Sequence, residues 1–110
     1  MGSKILILGV TYKENCPDIR NSKVADVYHE LEEFGLHVDV YDYQASPKEV
    51  NNVFGITLID QIIEKYDGIL LAVSHDKFSK IDITSLKKDA KSIVYDLKGF
   101  LPRDQVDARL

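Results

Sequence analysis

Two hydrophobic periods alternate along this chain, and that alternation limits its fold more than any other feature. Lys4-Ile-Leu-Ile-Leu-Gly-Val10 is a short, nearly continuous apolar run, the pattern of a strand buried on both faces. From Asn21 to Phe34 the period becomes helical. Val24, Val27, Tyr28, Leu31 and Phe34 share one face while Glu30, Glu32 and Glu33 take others, with Asn21 or Ser22 as candidate caps and Gly35 as the stop. His37 to Tyr43 alternates like a strand with one less-covered face. Ser46-Pro47 marks a helix start with a short turn through Val50, Gly55 to Leu58 reads as a brief strand, and Leu58 to Tyr66 has helical spacing. Gly68 to Ser74 is a clear strand, Leu86 to Ala90 a short helical stretch, and Ser92 to Asp96 the last strong strand. Strands alternating with helices through short connections predict an α/β fold: a three-layer αβα Rossmann-like sandwich with a mostly parallel sheet.

At 110 residues the chain has room for one domain and one core. A net charge of −4 argues against nucleic-acid or anionic-membrane partners, which need a basic footprint. No apolar run approaches the length of a membrane span, and no signal-type segment opens the chain. Met1-Gly2-Ser3 reads as an expression remnant joined to a strand, so residues 4–110 are expected to form a domain of a longer protein. Cys16 is the single cysteine, which rules out an internal disulfide or a cysteine metal cage, and the chain reads as cytoplasmic. No His, Asp or Glu spacing suggests a metal.

Ligands of parallel α/β sheets bind at the carboxyl ends of the strands. The first such end lacks the G-x-G-x-x-G dinucleotide fingerprint: Gly9 is followed by Val-Thr-Tyr-Lys, and the bulk of Tyr12 and Lys13 would obstruct a pyrophosphate. Asp42 ends the second strand where an NAD ribose acid would stand. Without the glycines, it reads better as a carboxylate making turn hydrogen bonds. The segment Thr11 to Asn21 exceeds the usual two to six residues of a strand-to-helix connection. Lys13 and Arg20 beside a helix start could form an anion site, or equally a solvated lysine beside an Asp18–Arg20 surface pair.

This same loop, Gly9-Val-Thr-Tyr-Lys-Glu-Asn-Cys-Pro-Asp-Ile-Arg-Asn-Ser22, resembles the motif that opens the C-terminal, UDP-binding domain of the UDP-glucose/GDP-mannose dehydrogenase family. The resemblance continues through Leu31-Glu-Glu-Phe-Gly35, Val38 to Asp42, Ala72-Val-Ser-His75 and Val94-Tyr-Asp-Leu-Lys-Gly99, so it spans nearly the whole chain after Ser3. Tyr43 departs from it at a turn position where the family usually has proline. The Lys98-Gly99 ending is more similar to the N-acetylhexosamine-type members.

The resemblance implies part of an enzyme that oxidises the C6 alcohol of a UDP-sugar to a uronic acid with NAD, for polysaccharide synthesis. NAD would be held mainly by an N-terminal domain outside this sequence, and the intact enzyme would be a homodimer. The family's Gly-Gly-x-Cys catalytic segment is absent, Cys16 matches a variable position, and no residue here is expected to be catalytic. Carried over by position, Tyr12, Lys13 and Lys98 are substrate contacts, and Arg20 reaches toward NAD, where its guanidinium fork suits pyrophosphate oxygens. Asp18 and Ser22 read as loop and cap residues, His75 as a structural or solvated histidine without a nucleophile beside it, and His29 and His37 as surface residues. The alternative is a stand-alone, non-catalytic nucleotide-binding or interaction module. A receiver-like signalling domain fails at the first strand end, where Gly9-Val10 replaces the acidic cluster it would need.

Overall fold

The computed structural model describes residues 3–11, 19, 23–73, 75–89, 91–96 and 108–109. Five strands form one sheet in the order β2-β1-β3-β4-β5, parallel at every pairing. They are β1 (Lys4–Leu8), β2 (His37–Tyr41), β3 (Gly68–Leu71), β4 (Ile93–Asp96) and β5 (Ala108–Arg109). Helices α1 (Val24–Glu33) and α2 (Pro47–Phe54) pack on one face. A 3₁₀ turn (Asp76–Lys80) and the short α3 (Ile83–Leu86) pack on the other, which gives the expected αβα sandwich.

The apolar run of β1 is explained by its neighbours. Ile5 and Ile7 join the α1-side core with Val38 and Val40, whereas Leu6 and Leu8 join the α3-side core with Ile69, Leu71 and Val94. β2 alternates because its second face carries half-buried Asp39 and Tyr41 instead of core aliphatics.

The caps follow local chemistry. Helix α1 ends in a Schellman motif: Leu36 N–H donates to the Leu31 carbonyl, Gly35 N–H donates to that of Glu32, and Gly35 has φ +84°. Its candidate start caps, Asn21 and Ser22, lie outside the described residues; Lys23 occupies the cap position without a side-chain bond. Ser46 accepts from Glu49 N–H at 3.3 Å, and α2 then runs a full turn beyond the expected Val50 to Phe54, where Gly55 stops it in the left-handed region.

Three expectations change. Gly55 to Leu58 is not an assigned strand, although Ile56 and Leu58 are buried. Leu58 to Tyr66 is not helical. Leu58 belongs to the α1-side core while Ile59, Ile62 and Tyr66 belong to the other, so this stretch carries the chain around the sheet edge. Its backbone is committed elsewhere: Ile59 N–H donates to the Val40 carbonyl and Tyr66 N–H to that of Leu86. Tertiary bonds override the local period. The helix expected at Leu86 to Ala90 lies earlier, at Ile83–Leu86, because Asp82 caps it by accepting from Ser85 N–H.

β1 is followed in sequence by β2 on one side, and the chain returns to β3 on the other. The carboxyl end of β1 is therefore the switch point of the sheet. Gly9 makes the close approach there possible. It has φ +98°, and a Cβ on it would stand 2.6 Å from Val73 Cβ and 2.9 Å from Val73 N. We expect Gly9→Ala to cost about 3–4 kcal/mol, from left-handed strain plus overpacking. Gly35→Ala, at φ +84° with open space around it, should cost about 1 kcal/mol. Urea-denaturation midpoints of the two variants compare these costs.

Candidate functional site

Three strand ends meet at the switch point, and a buried carboxylate ties them together. Asp42, just past β2, has a fully buried side chain. Its Oδ2 accepts from Val10 N–H at 2.7 Å and Thr11 N–H at 3.3 Å, both just past β1. Its Oδ1 accepts from Gln44 N–H at 2.8 Å and Ala45 N–H at 3.2 Å, closing its own turn. From the end of β3, His75 places Nε2 3.1 Å from Asp42 Oδ2 and 3.0 Å from Thr11 Oγ1, with its side chain fully buried. A carboxylate can only accept, so Nε2 carries the proton in this arrangement. Burial alone would raise the Asp42 carboxyl, but the His75 hydrogen bond and the Val10 N–H outweigh it and hold it below its usual range.

An aromatic wall closes the side of the cluster. Tyr43, His75 and Phe78 meet with ring centroids 5.3–5.5 Å apart. Tyr43 Oη accepts from Lys77 N–H at 2.9 Å, and the Lys77 ammonium stands 5.4 Å from the Tyr43 ring centre. Tyr43, the departure at the turn, thus fastens the loop after β3 to the loop after β2.

Asp42 is the turn-binding carboxylate that its position suggested, and His75 is structural. Tyr12, Lys13, Arg20 and Lys98 lie outside the described residues, as do Cys16, Asp18 and Ser22. The described residues on either side of the first loop are buried: Thr11 is 1% exposed, and Ile19 packs in the α1-side core. The described residues do not fit a dinucleotide, because Gly9 is spent on contact with Val73 and Asp42 is sealed against backbone N–H groups. The clamp of Thr11, Asp42 and His75, together with Phe78, was missed in sequence. A usable signal existed: polar residues close the strands on either side of β1, and the sheet order brings them together.

Toward the other, amino-terminal end of β2, ligand atoms of His37, Asp39 and Glu64 lie within 4.8 Å of one another. Each already has a partner within the protein. Glu64 pairs with the Lys4 ammonium, Asp39 accepts from Tyr66 Oη at 2.6 Å, and His37 Nε2 is 3.3 Å from Asp39 Oδ1. His37 and His29 are exposed, as expected. Among the described residues, no helix is long and apolar enough to cross a membrane.

Asp42→Ala leaves four N–H groups and an imidazole without their acceptor and should cost about 3–5 kcal/mol. Folding favours ionised Asp42, so its contribution is complete above the unfolded-chain value of about 4 and is lost as pH falls through the lower folded-state value. The stability of the native chain should therefore drop across this acid window. Asp42→Asn, less stable at neutral pH, should show a flatter profile there by urea denaturation.

Comparison with known proteins gives the cluster its context. The UDP binding domain of the UDP-glucose/GDP-mannose dehydrogenase family matches residues 6–103. UDP-N-acetyl-D-glucosamine 6-dehydrogenase of Pseudomonas aeruginosa is 41% identical over 112 residues, covering 99% of this chain and 26% of that protein. UDP-N-acetyl-D-mannosamine dehydrogenase of Methanocaldococcus jannaschii is 32% identical over 105 residues, covering 92% and 24%. The chain thus spans about a quarter of the length of the curated relatives it matches. Among solved structures, the UDP-N-acetyl-mannosamine dehydrogenase Cap5O of Staphylococcus aureus superposes with a TM-score of 0.73 at 21% identity, covering 99% of this chain and 26% of that one, a likeness of fold. With 6–103 matched by its UDP-binding domain, the chain belongs to the UDP-glucose/GDP-mannose dehydrogenase family.

Proposed function

We propose that residues 4–110 are the nucleotide-sugar-binding domain of an NAD-dependent UDP-sugar 6-dehydrogenase, which oxidises the sugar C6 alcohol to a uronic acid for polysaccharide synthesis in the cytoplasm. The domain holds the UDP end of the substrate and contributes no catalytic group. The observation that carries this reading is the match of residues 6–103 to a UDP-binding domain. Relatives that act on UDP-N-acetylhexosamines, together with the Lys98-Gly99 ending, favour a substrate of that type.

Lys13 and Lys98 supply cations to the substrate's diphosphate, and Tyr12 adds backbone polar groups and an aromatic face. The contribution of the clamp is preorganisation. Thr11, immediately before Tyr12 and Lys13, is held through its N–H by Asp42 and through its hydroxyl by His75, so the ordering cost of that end of the loop is met on folding rather than on binding. Arg20 reaches toward NAD held mainly by the rest of the enzyme, a homodimer.

Titrating the isotope-labelled chain by NMR with UDP, a UDP-N-acetylhexosamine and NAD separately tests the reading. UDP should shift the amides of Tyr12, Lys13 and Lys98 with a Kd on the order of millimolar, as befits half a site, while NAD should do little. Shifts with NAD alone, or UDP shifts away from these residues, would overturn it. In the full-length enzyme, Lys13→Ala should raise KM for the nucleotide sugar about tenfold or more and Arg20→Ala should raise KM for NAD. Unchanged kinetics in both would remove the residue assignments.

A further inference from the structure

A second cluster of ligating side chains lies away from the switch point, at the amino-terminal end of β2. His37 and Asp39 stand two residues apart on the strand, so both project from the same face. Glu64 reaches the same place from the stretch 58–66, which carries the chain around the sheet edge. One imidazole nitrogen and two carboxylates are thus brought together by the fold from positions that show no metal spacing in the sequence.

Three observations suit this cluster to a metal ion. His37 Nε2 and Asp39 Oδ1 are 3.3 Å apart. Ligand bonds of about 2.0–2.1 Å at a tetrahedral ion put neighbouring donor atoms about 3.3 Å apart, so these two already stand at coordinating separation. Asp39 is also oriented. Its other oxygen, Oδ2, accepts from the Tyr66 hydroxyl at 2.6 Å, and Tyr66 is fully buried. A fixed donor on the far oxygen of a ligating carboxylate is the usual outer support of a metal site. Finally, a cation is already drawn here: the Lys4 ammonium pairs with Glu64 and lies in the field of Asp39 and Asp67. Both side chains of that pair are 42% exposed, so the pair contributes little and yields to a better cation.

We propose that His37 Nε2, Asp39 Oδ1 and a carboxylate oxygen of Glu64 form a binding site for a divalent transition metal, with Zn²⁺ the best-suited ion. One nitrogen and two oxygen donors match the borderline character of zinc, whereas magnesium and calcium prefer oxygen alone. His37 ligates as the neutral imidazole. All three donors lie within 4.8 Å of one another, and the half-exposed Glu64 side chain has the freedom to close the remaining gap. Water completes the coordination from a cavity of about 470 Å³ lined by Asp39, Asp60, Glu64 and Tyr66. The ion pins the start of the edge strand β2 to the irregular 58–66 stretch. His37 is four residues, about 13 Å, along the strand from Tyr41 at its carboxyl end, so the site stands apart from the proposed nucleotide-sugar contacts.

Zinc titration of the metal-free 110-residue chain tests this, in a Cys16→Ser background that removes a competing thiol. NMR should show one equivalent bound, with the His37 ring and the amides of Asp39 and Glu64 shifting together and the ring of exposed His29 unmoved. By calorimetry, His37→Asn and Glu64→Gln should each weaken binding at least tenfold, and Tyr66→Phe about tenfold by releasing Asp39. Mg²⁺ should bind at least tenfold more weakly than Zn²⁺. Lys4→Met, which removes the competing ammonium, should tighten binding severalfold. The absence of any shift at about 1 mM Zn²⁺ would overturn the proposal. So would shifts confined to His37 with Glu64 unmoved, which would mark an adventitious surface histidine, or an affinity indifferent to Glu64→Gln. The NMR titration needs neither ligand variant and decides the point even where one of them fails to fold.

Discussion

The carboxyl end of the sheet depends on one buried carboxylate. Asp42 gathers four backbone N–H groups and an imidazole around two oxygens, with no solvent contact at its side chain. A charge in that position is costly unless every oxygen is satisfied. Here satisfaction and architecture coincide, because the donors come from the ends of β1 and β3 and from the turn after β2. The same bonds that stabilise the anion therefore hold three strand ends in register. Gly9 admits the close approach of Val73, and His75 passes the constraint to Thr11.

That arrangement gives the carboxyl end of the sheet a rigid base directly before the loop that carries Tyr12 and Lys13. In the proposed role, a strand end fixed in this way lowers the entropy lost when the lysines settle on a diphosphate. The sheet also has two contrasting faces. The rows on the α3 side are buried, whereas Ile93 on the α1 side is half exposed.

Much of the fold was legible in the sequence because its signals were local. The two-faced apolar run of β1, the helical period of α1 with its Gly35 stop, and the Ser46-Pro47 start of α2 each follow from a few neighbouring residues. Leu58 to Tyr66 was misleading for the opposite reason: its helical spacing comes from side chains that serve two different cores as the chain rounds the sheet edge. The clamp was legible only in part. Asp42 announced itself as a strand-end carboxylate, but its union with His75 and Thr11 depends on strand order, which fixes that β2 and β3 both flank β1. The contact of Tyr43 with His75 and Phe78 is likewise long-range and leaves no local signature.

On the proposed reading, a preorganised switch point presents the loop after β1 to the nucleotide end of a UDP-sugar. A crystal structure of the chain grown with saturating UDP tests it most directly. The diphosphate should lie at the carboxyl ends of β1 and β3, against Tyr12 and Lys13, with the bonds among Thr11, Asp42 and His75 intact. UDP bound at the amino-terminal edge near His37 and Glu64, or a bound state in which Asp42 has left His75 and Thr11, would contradict it.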